Sequence, residues 1–193
     1  MQPPLPRSFY TRGAVQVARA LLGKVVAHGQ TSGTIVETEA YLGPGDDASH
    51  SARGITPRTR VIFGPPGHAY VYLIYGMYEC LNLVAEPEGV PGCVLIRAIE
   101  PVSGLDQMRR RRGVARIEVL ANGPGKLTRA LGIHLRHSGT DVTRGPITVH
   151  PPARDTPIEI AVSTRIGITK CADLPLRFFI RGNPYVSRGS GAS

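Results

Sequence analysis

Length and charge set the first limits on this protein. The chain has 193 residues, 41% of them hydrophobic, which is enough for one domain with a buried core and leaves little room for a second. Its 23 Lys and Arg against 14 Asp and Glu give a formal net charge of +9, and 20 of the basic residues are Arg. This balance favours a polyanionic partner, although a generally basic fold or a genome rich in Arg codons would also produce it.

Cysteine usage and hydropathy argue against several other classes. Cys80, Cys93 and Cys171 are an odd number at wide spacing, which is typical neither of a disulfide framework nor of a zinc knuckle. No run approaches the 18 apolar residues of a membrane span, and the proline-rich start lacks the apolar stretch of a signal peptide. We therefore expect a soluble, intracellular protein without a membrane partner. It should form a single domain over residues 1–193, with flexible ends at 1–7 and 189–193.

The predicted elements begin with a helix over residues 13–22, with Thr11 as its N-cap and Gly23 as its stop. Two more helices are predicted, one after Ser103 with Asp106 at the capping-box position and one over residues 124–131. Short alternating or apolar runs predict strands at residues 24–27, 34–41, 69–74, 80–85, 93–98, 147–150, 158–162 and 176–181. Strands outnumber helices, which predicts an α+β domain around a mainly antiparallel sheet.

The loop at residues 43–66 is rich in Gly, Pro, Asp, Ser and Arg, and it is longer than a structural connection needs. Such loops usually carry function or are disordered. His50 lies within it, where an imidazole could donate to a sugar oxygen or a phosphate, although a lone loop histidine is often incidental.

The strand at residues 35–41 carries two carboxylates and a phenol. Its period of two sends Glu37, Glu39 and Tyr41 to one face. A carboxylate beside an aromatic surface suits general-base chemistry, because it can orient and deprotonate a water molecule. A solvated sheet face is the alternative, and spacing alone does not choose between the two glutamates.

Four tyrosines fall between residues 70 and 78. Tyr70 and Tyr72 share a strand face, while Gly76 predicts a turn that puts Tyr75 and Met77 at the tip of a hairpin. An aromatic side chain at such a tip could unstack a base step and fill the gap left by an extruded nucleotide. The alternative is that strands favour tyrosine, and we expect Tyr78 to be simply packed.

Several polar residues are weaker candidates. Asn82 could bind a base edge, and Arg97 a phosphate or leaving group. Lys126 follows Gly-Pro-Gly at a predicted helix start, which suits a backbone phosphate but also an ordinary turn. The arginines at 109–112 surround their predicted helix and favour a solvated surface. His134 and His137 lack a third ligand, so no metal site is expected, and no cofactor motif is present.

A family resemblance links these segments. The runs at residues 35–43, 50–51, 56–60 and 70–78 resemble the alkyladenine DNA glycosylases, also called 3-methyladenine or methylpurine DNA glycosylases. The similarity continues through residues 94–101, 123–127 and 176–184 and so covers nearly the whole chain. The resemblance implies a single mixed domain around a curved antiparallel sheet with flanking helices, no cofactor, and double-stranded DNA with damaged purines as the partner.

The resemblance also implies roles for individual residues. Glu39 would be the catalytic base, with Arg97 contacting the water or the DNA backbone at the lesion. The residues enclosing the flipped base would be Tyr41, His50 and Tyr72, with Ala48 and His50 inspecting the base edge through backbone groups and Asn82 screening purines with a 2-amino group. Tyr75 would intercalate, and we add Met77, Tyr70 and Lys126 as expected DNA contacts.

The expected reaction is hydrolysis of the glycosidic bond by a monomeric, monofunctional enzyme. Tyr41 and Tyr72 could stack on a cationic alkylated purine, gaining about 0.5–2 kcal/mol by cation–π attraction. The chain lacks the longer N-terminal extension of animal members, which favours a bacterial-type enzyme. Two alternatives stay open. One is a bifunctional glycosylase/lyase in which the Lys126 amine forms a Schiff base, and the other is a basic module that binds distorted DNA without cutting it.

Overall fold

The computed structural model describes residues 2–154 and 156–187. The helices in these residues are α1 (Arg7–Tyr10), α2 (Ala14–Leu21), α3 (Leu105–Arg112) and α4 (Pro124–Leu131). The strands are β1 (Val25–His28), β2 (Thr31–Tyr41), β3 (Ala69–Ile74), β4 (Tyr78–Val84), β5 (Cys93–Ser103), β6 (Ile147–His150), β7 (Ile160–Ser163) and β8 (Arg177–Ile180). The predicted tail at 189–193 lies outside the described residues.

All these strands join one antiparallel sheet in the order β3-β4-β5-β2-β1-β6. The first part of β2 pairs with β1, while Glu37, Thr38 and Glu39 pair with β8, which in turn pairs with β7. Register shifts on β2 between Ile35 and Thr38 mark a bulge, and bulges increase strand twist. The sheet curls accordingly, and the α+β fold with a curved antiparallel sheet is confirmed.

The two faces of the sheet have different roles. The buried side of α2 packs on one face of β2, where the Thr38 hydroxyl donates to the Ala18 carbonyl at 2.9 Å. The main hydrophobic core lies on this side. A second, smaller cluster of Ile62, Tyr70, Val84 and Cys93 borders the aromatic rings described below. One face thus supplies the core, and the other is free to form a site.

The predicted helices are present, but the residues predicted to cap them do not do so. The bounds of α4, β3 and β6 match the predicted ones, and α2 and α3 lie where expected, whereas the four-residue α1 was not predicted. Thr11 does not cap α2: the Ala14 amide at its start donates to the Glu86 carboxylate at 2.7 Å. Asp106 does not cap α3 either, and it pairs with Arg109. A residue from a distant loop thus replaces the local cap at α2.

The described part of the N-terminal segment, for which flexibility over residues 1–7 is predicted, contacts the rest of the domain. The Leu5 side chain is buried in the core, and its amide donates to the Val149 carbonyl at 2.7 Å. Arg7 pairs with Asp141 at 2.6 Å. None of the helices in the described part of the chain is long and apolar enough to cross a membrane.

Candidate active site

Strand register brings the candidate residues into one row. Glu39 lies opposite Leu95, Leu95 opposite Asn82, and Asn82 opposite Tyr70. Residues directly opposite each other in antiparallel strands project to the same face, so β2 to β5 present this row together. Beside it lies a cavity of about 350 Å³, open to solvent. Its lining includes Tyr41, Ala48, His50, Arg58, Tyr70, Tyr72, Tyr75, Asn82, Arg97 and Ile166.

Glu37 and Glu39 share a face, as predicted, but that face is not solvated. Both carboxylates are fully buried. Glu37 accepts from Arg97, Arg177 and both the amide and hydroxyl of Ser187, at 2.7–2.9 Å. These four donors occupy it, so Glu37 acts as a structural anchor between β2, β5 and β8.

Glu39 lies directly behind the cavity wall. One carboxylate oxygen accepts from the Ile166 amide at 2.8 Å and lies 3.3 Å from the Arg97 guanidinium, and the other accepts from the Tyr41 hydroxyl at 2.9 Å. All three donor residues line the cavity. Burial raises the pKa of Glu39, while Arg97, the Ile166 amide and the Tyr41 hydroxyl oppose the rise. The result is a carboxylate more basic than a free glutamate.

Arg97 joins the two glutamates. Its Nε donates to Glu37 at 2.9 Å and one Nη faces Glu39, while the side chain is only 9% exposed. Burial alone lowers the pKa of an arginine, but Glu39 and Glu37 raise the pKa of Arg97 above its usual value. Arg97 therefore stays charged at the wall of the cavity.

Aromatic rings form the cavity's sides. The rings of His50 and Tyr72 meet edge to face with centroids 4.6 Å apart, and Tyr70 lies 5.5 Å from Tyr72. Burial, and then the neighbouring Arg58, lowers the pKa of His50 to about 4, so its imidazole is neutral at pH 7. Tyr41 stays protonated because burial and the Glu39 charge raise its pKa. These groups present flat, uncharged surfaces to a ligand.

Asn82 lies at the bottom of the cavity with a fixed amide. Its nitrogen donates to the Tyr70 carbonyl at 3.2 Å, and its oxygen accepts from the Cys93 thiol at 3.9 Å. Ala48, two residues before the 3₁₀ turn at His50–Arg53, also lines the cavity. The predicted pocket residues on the strands and on the long loop are thus brought together.

The hairpin between β3 and β4 protrudes beside the cavity. Tyr75 is 78% exposed and Met77 67% exposed, so the predicted tip is confirmed. Tyr75 has a φ of 53° and Gly76 one of 69°, both in the left-handed region. A tyrosine rarely adopts that conformation, and such strain is found most often at functional sites. The hairpin holds an aromatic ring in solvent at some conformational cost.

Two neighbouring tyrosines differ from expectation. Tyr70, expected to contact DNA, is only 2% exposed, and its hydroxyl is held by His50 at 3.0 Å and Arg58 at 3.2 Å. It supports the cavity wall instead. Tyr78, expected to be packed, is 51% exposed and rests in part on Gly125 at the start of α4.

Lys126 lies outside the lining of the main cavity. Its amine donates to the Asn122 side chain at 2.8 Å, and it borders a separate depression with Met77, Arg112 and Arg129 on the hairpin side. The arginines of α3 were expected to form a solvated surface, but two of them bind the protein itself. Arg111 donates to the Ala130 carbonyl and Arg112 to the Leu120 carbonyl. They tie α3 to α4 and to the segment before it.

One buried ion pair was not predicted from the sequence. Arg165 and Asp46 form a two-pronged pair with both contacts at 2.7 Å, and both side chains are buried. Arg165 also lies over the Tyr41 ring at 4.7 Å, and the next residue, Ile166, supplies the amide bound to Glu39. The partners are 119 positions apart, so no local pattern could have revealed the pair.

Acidic, cysteine and histidine side chains do not gather as metal ligands. Over residues 2–154 and 156–187, no group of three or more of them could hold a metal ion. The cavity is bordered by the buried Glu39 carboxylate, by Arg58 and Arg97, and by aromatic rings, next to a protruding aromatic tip.

Comparison with known proteins agrees with this geometry. The model of the methylpurine-DNA glycosylase (MPG) family matches residues 8–184. A protein of Methanoculleus marisnigri is 54% identical over 190 residues, covering 95% of this chain and 98% of the relative. Proteins of Chlorobaculum tepidum and Bradyrhizobium diazoefficiens are each 46% identical, covering 95% and 96% of this chain and 90% and 91% of the relatives. All three are named "Putative 3-methyladenine DNA glycosylase".

Fold, site and comparisons together define a DNA glycosylase, a hydrolase of N-glycosyl bonds that works in DNA repair. The chain belongs to the methylpurine-DNA glycosylase family, and the resemblance stated from its motifs is confirmed.

Proposed function

We propose that this protein is a monofunctional glycosylase of base excision repair that releases alkylated or deaminated purines from duplex DNA. The proposed lesion class comprises 3-methyladenine, 7-methylguanine, hypoxanthine and ethenoadenine. The observation that carries the proposal is the position of Glu39, buried behind a cavity whose lining includes the aromatic rings of Tyr41, His50 and Tyr72. The donors to Glu39, namely Tyr41, Ile166 and Arg97, all line this cavity, whereas Arg177 and Ser187, which donate to Glu37, do not.

The proposed binding step extrudes the damaged nucleotide into the cavity. Tyr75 at the exposed hairpin tip would fill the gap left in the helix, with Met77 beside it. The damaged base pairs weakly, so its extrusion costs less than that of a normal base. Lys126 and the basic depression along the hairpin would bind phosphates. One chain supplies every residue used in this account, and we propose that the enzyme acts as a monomer.

The proposed chemical step is hydrolysis assisted by Glu39. The carboxylate accepts a proton from a water whose oxygen forms a bond to C1′ of the sugar. The C1′–N bond breaks, and the purine leaves with the bonding electron pair. A cationic alkylated purine leaves as a neutral base, whereas hypoxanthine needs a proton. Arg97, charged and 3.3 Å from Glu39, would orient the carboxylate and water.

The two alternatives have less support. A lyase step through Lys126 requires its amine at the sugar, but Lys126 lies outside the cavity lining and donates to Asn122. Borohydride trapping of a protein–DNA adduct would reveal such a step, and we expect no adduct. A non-catalytic binding module would need neither a buried base nor its three donors.

The proposal is tested by base release from duplexes that each carry one of the four lesions. We expect alkali-labile abasic sites with the wild type and their loss with Glu39→Gln. Glu88→Gln is a matched control, because it makes the same chemical change at an exposed residue outside the cavity lining. Equal activity of Glu39→Gln and wild type would contradict the role of Glu39, and an inactive wild type would contradict the lesion class.

A further inference from the structure

Arg58 occupies a position that the reaction as proposed does not use. It belongs to the loop before β3 and lines the cavity, where its guanidinium lies over the Tyr72 ring at 5.2 Å. Its Nε donates to the Tyr70 hydroxyl at 3.2 Å, and an Nη lies 3.3 Å from His50 Nε2. Because a guanidinium only donates, Nε2 must accept, and the imidazole proton sits on Nδ1 facing Tyr70.

The other arginines near the aromatic walls are neutralised. Arg165, over Tyr41, is paired with Asp46, and Arg97 with Glu37 and Glu39. Arg58 has no carboxylate within 4 Å among the residues that the structure describes. Its positive charge therefore acts on the cavity without a compensating negative one.

We propose that Arg58 is a specificity-determining residue that disfavours cationic lesions and shifts the enzyme towards neutral purines. The inference rests on the proposed function, since it assumes that a base stacks on Tyr72. A positive charge near that ring repels a cationic base and weakens the attraction that the ring would offer it. A neutral base such as hypoxanthine or ethenoadenine feels no such repulsion.

The neutral state of His50 agrees with a positive charge on Arg58 at the cavity wall. Burial, and then the Arg58 charge, lowers the pKa of His50, whose Nε2 lies 3.3 Å from the Arg58 guanidinium. Like charges on the order of 10 Å apart in a partly buried site interact enough to change a binding ratio by about three- to tenfold, after allowance for solvent. Arg58 is exposed, so we expect an effect within that range.

The test compares two single-turnover rates, on a 7-methylguanine duplex and on a hypoxanthine duplex, and forms their ratio. In Arg58→Gln the ratio should move about three- to tenfold towards the cationic lesion. General loss of DNA affinity cancels in the ratio. Arg58→Lys keeps the charge and should stay near the wild-type ratio. Arg60→Gln removes a charge from the same loop outside the cavity lining and should leave the ratio unchanged.

The outcomes separate this inference from the proposed function. A wild type that releases neither base contradicts the proposed function itself. An active wild type with the same ratio in Arg58→Gln overturns the role of Arg58 alone. Equal shifts in Arg58→Gln and Arg58→Lys would also overturn it, because charge would then not be the cause. Raised salt offers a second measurement: it should move the wild-type ratio towards the cationic lesion and leave that of Arg58→Gln constant.

Discussion

At the scale of single residues, Glu37 and Glu39 show how neighbours decide the role of a side chain. They lie two positions apart on one face of β2 and share Arg97. Glu37 is held by Arg177 and Ser187 besides, whereas the other donors to Glu39 come from the cavity side. The sequence predicted the shared face but could not separate the two. The difference lies in Arg177 on β8, in Ile166 before that strand and in Ser187 after it, which no strand periodicity predicts.

The environment of Glu39 predicts a pH dependence. Glu39 must be ionised to accept a proton, and burial raises its pKa. The rate should therefore fall as pH is lowered, with a midpoint above the value of about 4.3 for a free glutamate. Single-turnover rates on 7-methylguanine DNA measure this best, because its leaving group needs no proton. A rate that stays constant down to the range of a free glutamate would contradict the assignment.

At the scale of elements, the β3–β4 hairpin joins backbone strain to an exposed ring. Tyr75 and Gly76 both have positive φ, as a type I′ turn requires, and Asn-Gly is the favoured pair in such turns. A residue chosen only for stability would not be tyrosine. We infer that the ring is kept for what it does in DNA.

We expect Tyr75→Asn to raise the stability of the protein and to lower its affinity for DNA. Unfolding by denaturant should show a stability gain of about 0.5–1 kcal/mol, because asparagine tolerates the left-handed conformation. Affinity for a duplex with an abasic analogue should fall about tenfold, because a stacking ring is lost. Gly76 stays in place, so the turn itself is retained. Unchanged affinity, or a loss of stability, would argue against the hairpin as described.

A second element-level feature is the Asp46–Arg165 pair, which fastens the long loop to the segment that covers Glu39. Asp46 also accepts from the Leu42 amide at 2.9 Å, and Arg165 donates to the Ala40 carbonyl at 3.1 Å. The pair therefore fixes both the end of β2 and the Ile166 amide. The pair thus helps to position the Glu39 site, although neither Asp46 nor Arg165 binds Glu39.

Removing one partner should be costly. Arg165→Met leaves the Asp46 charge buried without its partner, so we expect a loss of about 3–5 kcal/mol in unfolding free energy. Arg144→Met is the matched control, because Arg144 pairs with Asp141 but its side chain is 83% exposed, and the expected loss is below about 1 kcal/mol. Similar losses for both variants in denaturant titrations would show that burial of the pair is unimportant.

At the scale of the whole molecule, a net charge of +9 does not by itself mark the DNA surface. Arg97, Arg165 and Arg177 serve buried carboxylates, while Arg111 and Arg112 bind backbone carbonyls. Other arginines lie at the surface, among them Arg58 at the cavity, where we propose that the charge acts on a ligand. Composition therefore predicts the kind of partner but not where it binds.

Local patterns predicted the fold better than they predicted the site. The alternation of β3 and β6 and the apolar spacing of α4 gave their observed bounds. Contacts that join distant segments could not be predicted, such as Glu86 capping α2 from 72 positions away. The hairpin tip was predicted because turn residues act locally. Arg58 and Arg165 were not, because their roles depend on Tyr72 and Asp46, which only the folded chain brings to them.

The central claim is that Glu39 acts on water after the damaged base has been bound. Single-turnover base release and affinity for an abasic-analogue duplex, both measured with Glu39→Gln, test it most directly. The rate should fall about a hundredfold to ten-thousandfold, the usual contribution of a general base, while affinity changes by less than about threefold. A Glu39→Gln enzyme that releases bases at the wild-type rate, or that loses rate only as it loses affinity, would contradict the claim.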